Sequence, residues 1–413
     1  METYDCLVFS GGGAKGAYGA GVAKAIELYR SLRGNTNPIC YVGTSAGALN
    51  AYILASSDAD ALIRFWLKVS NKDILGVKVP NTKYHGLRRL AGRLFANSAS
   101  AYSIYAGEHL ATLVGVHAKI EKVKAPLIIA CTDYLLGALK AFYVSPPASP
   151  YDLIGQFCAT DGGHELSKQR LKHFRRVATD DVLARVLTAS CAIPIFFPPV
   201  EITTEFRGQP EKSLYVDGGV GNNTPTREAA YFLRYLEESG KGKSGLTYCV
   251  SQDPPRIALD EVPKLGLWDI LNRTTGVYDY VHTKAIVNAW KRINVEVDEQ
   301  QKRLREFEVK IEEAGLTDNL KQSVLGLARE HFNSMGGATS RLSMPLVEIT
   351  PSTTLGDALN FDPTLARANI ERGFTDTLQS LRVSRDRSYS GPRERTYINE
   401  AEFNDLIHSR IFA

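Results

Sequence analysis

Short apolar runs alternate with segments of helical periodicity through the first half of this 413-residue chain. A strand followed by a helix that packs back onto the sheet produces such an alternation, so the pattern predicts an α/β protein with a largely parallel central sheet. The predicted strands cover residues 5–10, 39–43, 125–133, 141–145, 214–217 and 246–251, and the predicted helices cover residues 14–32, 46–55, 59–68, 180–189 and 225–238.

The second half of the chain has a different character. Tryptophan- and charge-bearing helices over about residues 267–297 lead into a highly charged stretch, 298–333. We interpret the charged stretch as a solvated helix surface, with a partner-binding helix as the alternative. The composition of residues 239–245, SGKGKSG, predicts a flexible loop, and Asn399 with Glu402 has the spacing of a capping box.

Composition excludes several classes of function. A net charge of +4 is small for this length, so we expect no nucleic acid polymer as a partner. The sequence has no apolar run of about 18 residues, and its first residues lack a signal peptide pattern, which predicts a cytoplasmic protein. None of the eight histidines has a metal-ligand spacing, so we expect neither a metal nor another cofactor.

The stretch SGGGAKGAYGAG, residues 10–21, follows the first predicted strand and precedes a predicted helix. Its glycines satisfy the G-x-G-x-x-G pattern of dinucleotide-binding loops. That interpretation also requires a carboxylate at the end of the second strand, where this chain has Gly43, Thr44 and Ser45 instead. A Walker-type phosphate loop is disfavoured as well, because no Gly-Lys-Ser/Thr closes the run.

The second predicted strand ends in GTSAG, Gly43 to Gly47, and a helix follows. Glycines on both sides of the serine allow a sharp turn that lifts the Ser45 hydroxyl clear of the sheet, as in a nucleophile elbow. A serine nucleophile needs donors for the charge that develops on the attacked carbonyl oxygen. The glycine loop can supply backbone amides at the start of a helix, so we expect it to bind a transient oxyanion.

The nucleophile also needs a base, and two Asp-Gly-Gly triplets are candidates. Asp161 lies in a polar segment typical of an ordinary turn, whereas Asp217, followed by Gly218, ends an apolar strand as Ser45 does. We therefore predict Asp217 as the partner of Ser45. A Ser-His-Asp triad remains an alternative, because His282 follows Asp217 in the order that α/β-hydrolases use; His109 and His331 matter only to that alternative.

Four segments, in this order, resemble the successive blocks of the patatin-like phospholipases: SGGGAKGAYGAG, GTSAG, ASCAIPIFFPPV (189–200) and YVDGGVGNNTP. The resemblance covers residues 5–235, and 361–374 is similar to the last helix of the family. It implies a three-layer α/β/α fold with C-terminal helices, in which residues 1–235 form the catalytic core and residues 236–413 continue the same domain.

The resemblance also implies a catalytic dyad without histidine, Ser45 and Asp217, and an oxyanion hole from the backbone of Gly11, Gly12 and Gly13. Lys15 stands where the family often has arginine, so a cation is kept. The implied reaction is hydrolysis of phospholipid acyl esters through an acyl-enzyme. An aspartate with a pKa near 4 is a poor base at neutral pH, so we expect the oxyanion hole to carry more of the catalysis.

We expect the enzyme to act peripherally at a phospholipid bilayer surface. Basic residues beside an apolar helical stripe form a candidate membrane contact, with a solvated helix as the alternative; the cations are Lys83, Arg88, Arg89 and Arg93. A cytoplasmic lipid hydrolase would endanger its own cell, which predicts control by a small-molecule or protein activator. A non-catalytic lipid- or nucleotide-sensing module is the remaining alternative. The sequence does not indicate the oligomeric state.

Overall fold

The computed structural model describes residues 2–76, 103–105, 107–146, 173–206, 209–254, 267–334, 344–382, 398–407 and 411–412. Within these residues the strands are β1 (Glu2–Phe9), β2 (Ile39–Thr44), β3 (Leu127–Asp133), β4 (Ala138–Val144), β5 (Phe174–Arg176), β6 (Val200–Phe206), β7 (Gln209–Asp217), β8 (Gly242–Val250) and β9 (Leu346–Ile349).

The helices in the same residues are α1 (Ala17–Leu32), α2 (Ala46–Ser56), α3 (Ala59–Lys68), α4 (Asn71–Leu75), α5 (Glu108–His117), α6 (Asp180–Ser190), α7 (Gly219–Asn222), α8 (Thr226–Glu238), α9 (Leu267–Glu313), α10 (Asp318–Ser334), α11 (Pro363–Ser380) and α12 (Glu400–Ile407). None of them has an apolar stretch long enough to cross a bilayer.

The described strands form one mixed sheet with the order β5-β4-β3-β2-β1-β8-β9. Strands β3, β2, β1, β8 and β9 run parallel, so their carboxyl ends share one edge. Strand β4 is antiparallel to β3, and β7 pairs antiparallel with both β3 and β6. The predicted α/β class and the largely parallel sheet are therefore confirmed.

Helices cover both faces of the sheet because the side chains of a strand alternate between its two faces. On β1, Leu7 and Phe9 pack with α1 and α2 in the larger of two core clusters. Cys6 and Val8 belong to the second cluster, which includes Phe232 of α8. This alternation gives the predicted three-layer arrangement.

Helix α9 is 47 residues long and runs along β9. About a third of the way along it, the Thr283 hydroxyl lies 2.6 Å from that of Thr224, which follows β7 at the carboxyl edge of the sheet. Farther along, the Asn294 side chain exchanges two hydrogen bonds with the backbone of Met344, which precedes β9 at the opposite edge. The rest of α9, with α10 packed against it, extends beyond the amino edge.

Two local predictions have different outcomes. The capping box is confirmed, since the Asn399 amide donates to Glu402 Oε2 at 2.8 Å and the Glu402 amide donates to Asn399 Oδ1 at 3.0 Å. The loop predicted at residues 239–245 is correct for 239–241 and wrong for the rest, because β8 begins at Gly242. Residues 242–244 pair with Glu2–Tyr4 of β1 through the backbone, which does not require apolar side chains.

Candidate active site

Ser45 occupies a sharp turn between β2 and α2. Its backbone has φ 56° and ψ −130°, in the left-handed region that costs energy for residues other than glycine. Both flanking glycines are required by close packing: a Cβ on Gly43 would lie 2.1 Å from the Gly47 carbonyl oxygen, and a Cβ on Gly47 would lie 2.5 Å from that of Ser10. The turn therefore has the geometry of a nucleophile elbow at a helix N-terminus.

Ser190, the last residue of α6, connects this turn to β3 through two hydrogen bonds. The Ser45 amide donates to Ser190 Oγ at 2.9 Å, and the Ser190 hydroxyl donates to the Ala130 carbonyl of β3 at 2.7 Å. Ser190 is fully buried. It lies in the segment ASCAIPIFFPPV, which marked it as part of a motif, but sequence reasoning assigned it no role.

The sheet itself brings Asp217 to Ser45. Strand β4 pairs with β3 along one edge, so β2 and β7 both pair with β3 along the other edge. Thr44, the last residue of β2, pairs with Ala130, and Asp217, the last residue of β7, pairs with the next residue, Cys131. The two strands thus meet end to end, and the residue after Thr44 faces Asp217.

The Asp217 carboxyl group is buried and only partly hydrogen-bonded. Oδ1 accepts a hydrogen bond from the Gly219 amide at 2.7 Å, whereas Oδ2 has no hydrogen-bond partner among the residues that the structure describes. The Ser45 hydroxyl lies near enough to favour the charged form of the carboxyl group, although it makes no hydrogen bond of good geometry with Oδ2.

Burial raises the pKa of Asp217 to about 7, against the opposing effects of the Ser45 hydroxyl and the Gly219 amide. The expectation of an ordinary pKa near 4 is therefore wrong, because the sequence does not reveal how completely the carboxyl group is removed from water. A carboxylate with a pKa near 7 is a competent general base at neutral pH.

The glycine loop lies beside Ser45, but its three amides are not equivalent. The Gly11 amide donates to both the backbone oxygen and the side-chain Oδ1 of Asn223, at 3.2 and 3.0 Å. The amides of Gly12 and Gly13 have no acceptor among the described residues. Of the three predicted donors, Gly12 and Gly13 are thus available to a ligand in this structure, and Gly11 is occupied.

Residues that follow β8 hold the glycine loop in place. The Gln252 side chain donates to the Ser10 carbonyl at 2.9 Å, and a Cβ on Gly12 would lie 2.1 Å from Gln252 Oε1. The Lys15 ammonium binds Asp253 Oδ1 at 2.7 Å. Sequence reasoning missed Gln252, Asp253 and Asn223, because their contacts come from segments more than 200 residues away.

An apolar cleft opens at Ser45. Ser45 and Gly13 lie in its wall, and the remaining wall is built from side chains of α2, α3, α4 and α5 and of the segments after α6 and before α11. Among these side chains are Leu49, Phe65, Trp66, Ile193, Phe197 and Phe361. The Trp66 indole N–H donates to Asn50 Oδ1 at 2.8 Å, so it presents no free donor to the cleft. The apolar lining of this cleft has the chemistry that binds hydrocarbon groups.

The remaining predicted residues divide into two groups. Gly218, which follows Asp217, packs so closely on β3 that a Cβ would lie 2.3 Å from the Ala130 carbonyl oxygen. The competing aspartate, Asp161, and the candidate membrane contacts lie outside the described residues; those contacts are Lys83, Arg88, Arg89 and Arg93.

In the described part of the chain, no histidine contributes to the pKa of Asp217. Burial, the Ser45 hydroxyl and the Gly219 amide determine that pKa. His282 instead stacks on Tyr278 of α9, with ring centroids 5.9 Å apart. The described side chains thus give no support to a Ser-His-Asp triad.

The sequence model of the patatin-like phospholipase family matches residues 7–230, more than half of the chain. No curated protein matches this chain. Several solved structures match it, among them the crystal structure of VipD from Legionella pneumophila, which is 14% identical to this chain. That alignment covers 98% of this chain and 73% of the VipD chain, with a TM-score of 0.35, a likeness too weak to bear on function.

Proposed function

Because this chain belongs to the patatin-like phospholipase family, whose members hydrolyse lipid esters, we propose that it cleaves acyl esters of membrane phospholipids with Ser45 as nucleophile and Asp217 as general base. The observation that carries the proposal is the buried Asp217 carboxyl group next to a serine that lines an apolar cleft. One of its oxygens has no partner in the described part of the chain.

In the first step, Ser45 Oγ attacks the carbonyl carbon of the acyl ester and its proton passes to Asp217. The free oxygen Oδ2 is the proton acceptor, since Oδ1 is held by the Gly219 amide. The raised pKa of Asp217 reduces the cost of this transfer, because burial disfavours the charged carboxylate and favours the protonated product. The ester oxygen then leaves as lysophospholipid, taking the proton from Asp217, and the acyl group stays on Ser45.

The negative charge on the attacked carbonyl oxygen is stabilised by the amides of Gly12 and Gly13. These amides have no acceptor within the described ranges, and the short 3₁₀ turn Gly13–Gly16 leads from them into the N-terminus of α1. Fixed donors of this kind stabilise the transition state without having to reorganise when the charge develops. Gly11 has a structural role instead, since its amide donates to Asn223 and so holds the loop in place.

In the second step, a water molecule attacks the acyl-enzyme while Asp217 accepts its proton. Collapse of the second intermediate breaks the bond to Ser45 Oγ, releases the fatty acid and returns the proton to the serine. During both steps the acyl chain occupies the apolar cleft, whose side chains exclude water from the ester.

The decisive experiment measures fatty-acid release from mixed phospholipid vesicles by the wild-type protein and by Ser45→Ala and Asp217→Asn. We expect both substitutions to abolish release, and labelling by a fluorophosphonate probe to be lost in Ser45→Ala and strongly slowed in Asp217→Asn. Retained hydrolysis in Ser45→Ala would contradict the proposal. A loss of activity in His282→Ala with full activity in Asp217→Asn would favour a Ser-His-Asp triad.

Control by a small-molecule or protein activator, and action at the cytoplasmic membrane surface, stay predictions. The same vesicle assay tests the first of them when candidate activators are added to the wild-type protein. A protein that is labelled by the probe yet releases fatty acid only after such an addition would be a regulated enzyme.

A further inference from the structure

The turn between β3 and β4 exposes three consecutive large apolar side chains. Tyr134, Leu135 and Leu136 are 61%, 64% and 63% exposed, and we refer to them as the hairpin tip. Single exposed apolar residues are common on protein surfaces and need no explanation. A run of three at the end of a hairpin is costly for solubility and is expected only where it contacts something.

The hairpin tip is held rigidly. Asp133 Oδ1 accepts hydrogen bonds from the amides of Leu135 and Leu136 at 3.1 and 3.0 Å, and from the Ser213 hydroxyl at 2.8 Å. The Tyr134 amide donates to the Leu214 carbonyl at 2.8 Å. Since the backbone is fixed in advance, insertion of the tip into a partner would cost little conformational entropy.

The hairpin tip lies at the same edge of the sheet as the candidate active site. Asp217 pairs with Cys131, which is three residues before Tyr134 and so about 10 Å away along the strand. Val220 of α7, 53% exposed, lies beside the hairpin, since the neighbouring Gly221 amide donates to Thr132 Oγ1. Ile195, 58% exposed, follows Ile193 in the cleft wall. Exposed apolar groups therefore border the site.

We propose that the hairpin tip inserts into the interfacial layer of a phospholipid bilayer and so directs the mouth of the apolar cleft toward the lipid. This inference rests on the proposed function. An acyl chain that moves from the bilayer into the cleft must cross the surface between them, and an apolar border keeps that path free of water. A tyrosine beside two leucines also suits the interface, where the ring is buried and the hydroxyl stays hydrated.

The test uses the Ser45→Ala protein, so that vesicle binding is measured without hydrolysis. Leu135→Asp with Leu136→Asp should weaken partitioning onto phosphatidylcholine–phosphatidylglycerol vesicles by about 10-fold or more, because two apolar side chains are lost from the contact. Leu327→Asp is the matched control: Leu327 is 66% exposed on α10, beyond the opposite edge of the sheet, and its substitution should leave binding unchanged.

With Ser45 intact, the same hairpin substitutions should leave hydrolysis of a soluble short-chain ester unchanged and lower fatty-acid release from vesicles. Wild-type-like vesicle binding by the hairpin variant, an equal loss in Leu327→Asp, or an absence of vesicle binding in the parent protein would each overturn the inference. If the tip mediates binding but no fatty acid is released, the proposed function fails and the docking inference stands.

A second measurement locates the tip in the bilayer directly. Leu135→Trp should show a blue-shifted tryptophan component on vesicles and quenching by lipids brominated on the acyl chain, whereas Leu327→Trp should show neither. If Leu135→Trp responds only after a protein partner is added, the tip is a protein-docking site and the inference is wrong.

Discussion

The Lys15 ammonium and the Asp253 carboxylate lie 2.7 Å apart, and their side chains are only 10% and 8% exposed. The pair connects the turn that follows the glycine loop to the segment that follows β8. Removing one partner of a buried ion pair leaves an uncompensated charge, which typically costs about 3–5 kcal/mol. The pair therefore links the stability of the protein to the position of its candidate oxyanion donors.

Lys15→Met should lower the free energy of unfolding in urea by about 3–5 kcal/mol, because Asp253 is left buried and unpaired. The double variant Lys15→Met with Asp253→Asn should recover part of this loss. Lys212→Met is the control: its partner Glu201 lies 3.0 Å away, but the two side chains are 62% and 55% exposed, so the change should be below about 1 kcal/mol. Equal effects of Lys15→Met and Lys212→Met would contradict the prediction.

Activity on a soluble ester should rise with pH and level off above about pH 7. The base must be ionised to accept the serine proton, and burial raises the pKa of Asp217 to about 7. The measurement is kcat/KM from pH 4.5 to 8.5, since this ratio reports the pKa of the free enzyme. A profile that is already flat at pH 5 would show that the carboxyl group titrates as an ordinary aspartate.

The difference in free energy of unfolding between Asp217→Asn and the wild type should favour the variant more at pH 8 than at pH 4. An unfolded aspartate titrates near 3.9 and the folded one at about 7, so in this window the folded state holds more protons. The free energy of unfolding of the wild type therefore falls as the pH rises through the window. Asparagine lacks this titration, and the difference between the two proteins should shift in its favour by up to about 4 kcal/mol. Urea unfolding at both pH values measures the shift, and parallel stabilities would exclude it.

Ser190→Ala should slow ester hydrolysis by about 10- to 100-fold, because the Ser45 amide and the Ala130 carbonyl lose the hydroxyl that joins them. The rate of fluorophosphonate labelling should fall in parallel, since it reports the same serine. Thr188→Ala removes a hydroxyl from the same helix whose bond to the Ala184 carbonyl is local, so it should keep full activity. A similar loss in both variants would mean that α6 acts only through general stability.

Gly12→Ala should reduce kcat by about 10²–10³, the usual effect of losing one oxyanion donor. The added Cβ would lie 2.1 Å from Gln252 Oε1, so the loop must move. Gly115→Ala on α5 is the control, because its Cβ would meet no atom within 4 Å and alanine favours the helix. Full activity of Gly12→Ala would remove this amide from the proposed mechanism.

The sequence was most informative where local chemistry decides the structure. The sharp turn at Ser45 follows from its two flanking glycines, and the capping box at Asn399 follows from a three-residue spacing. The strand pairing that brings Asp217 to Ser45 could be predicted only from the family resemblance, because no residue close to Asp217 in the sequence specifies its partner strand.

Long-range packing explains what the sequence did not reveal. The raised pKa of Asp217 depends on burial by several elements, and the contacts of Gln252 depend on the return of the chain after β8. Strand β5, three residues long, is too short to produce a recognisable pattern. The polar residues at the start of β8 predicted a loop, because the pairing of this segment with β1 uses only the backbone.

Because Thr44 and Asp217 pair with successive residues of β3, main-chain hydrogen bonds deep in the protein set the spacing of Ser45 and Asp217. Side chains in the wall of the apolar cleft can therefore be exchanged while Ser45 and Asp217 keep their spacing.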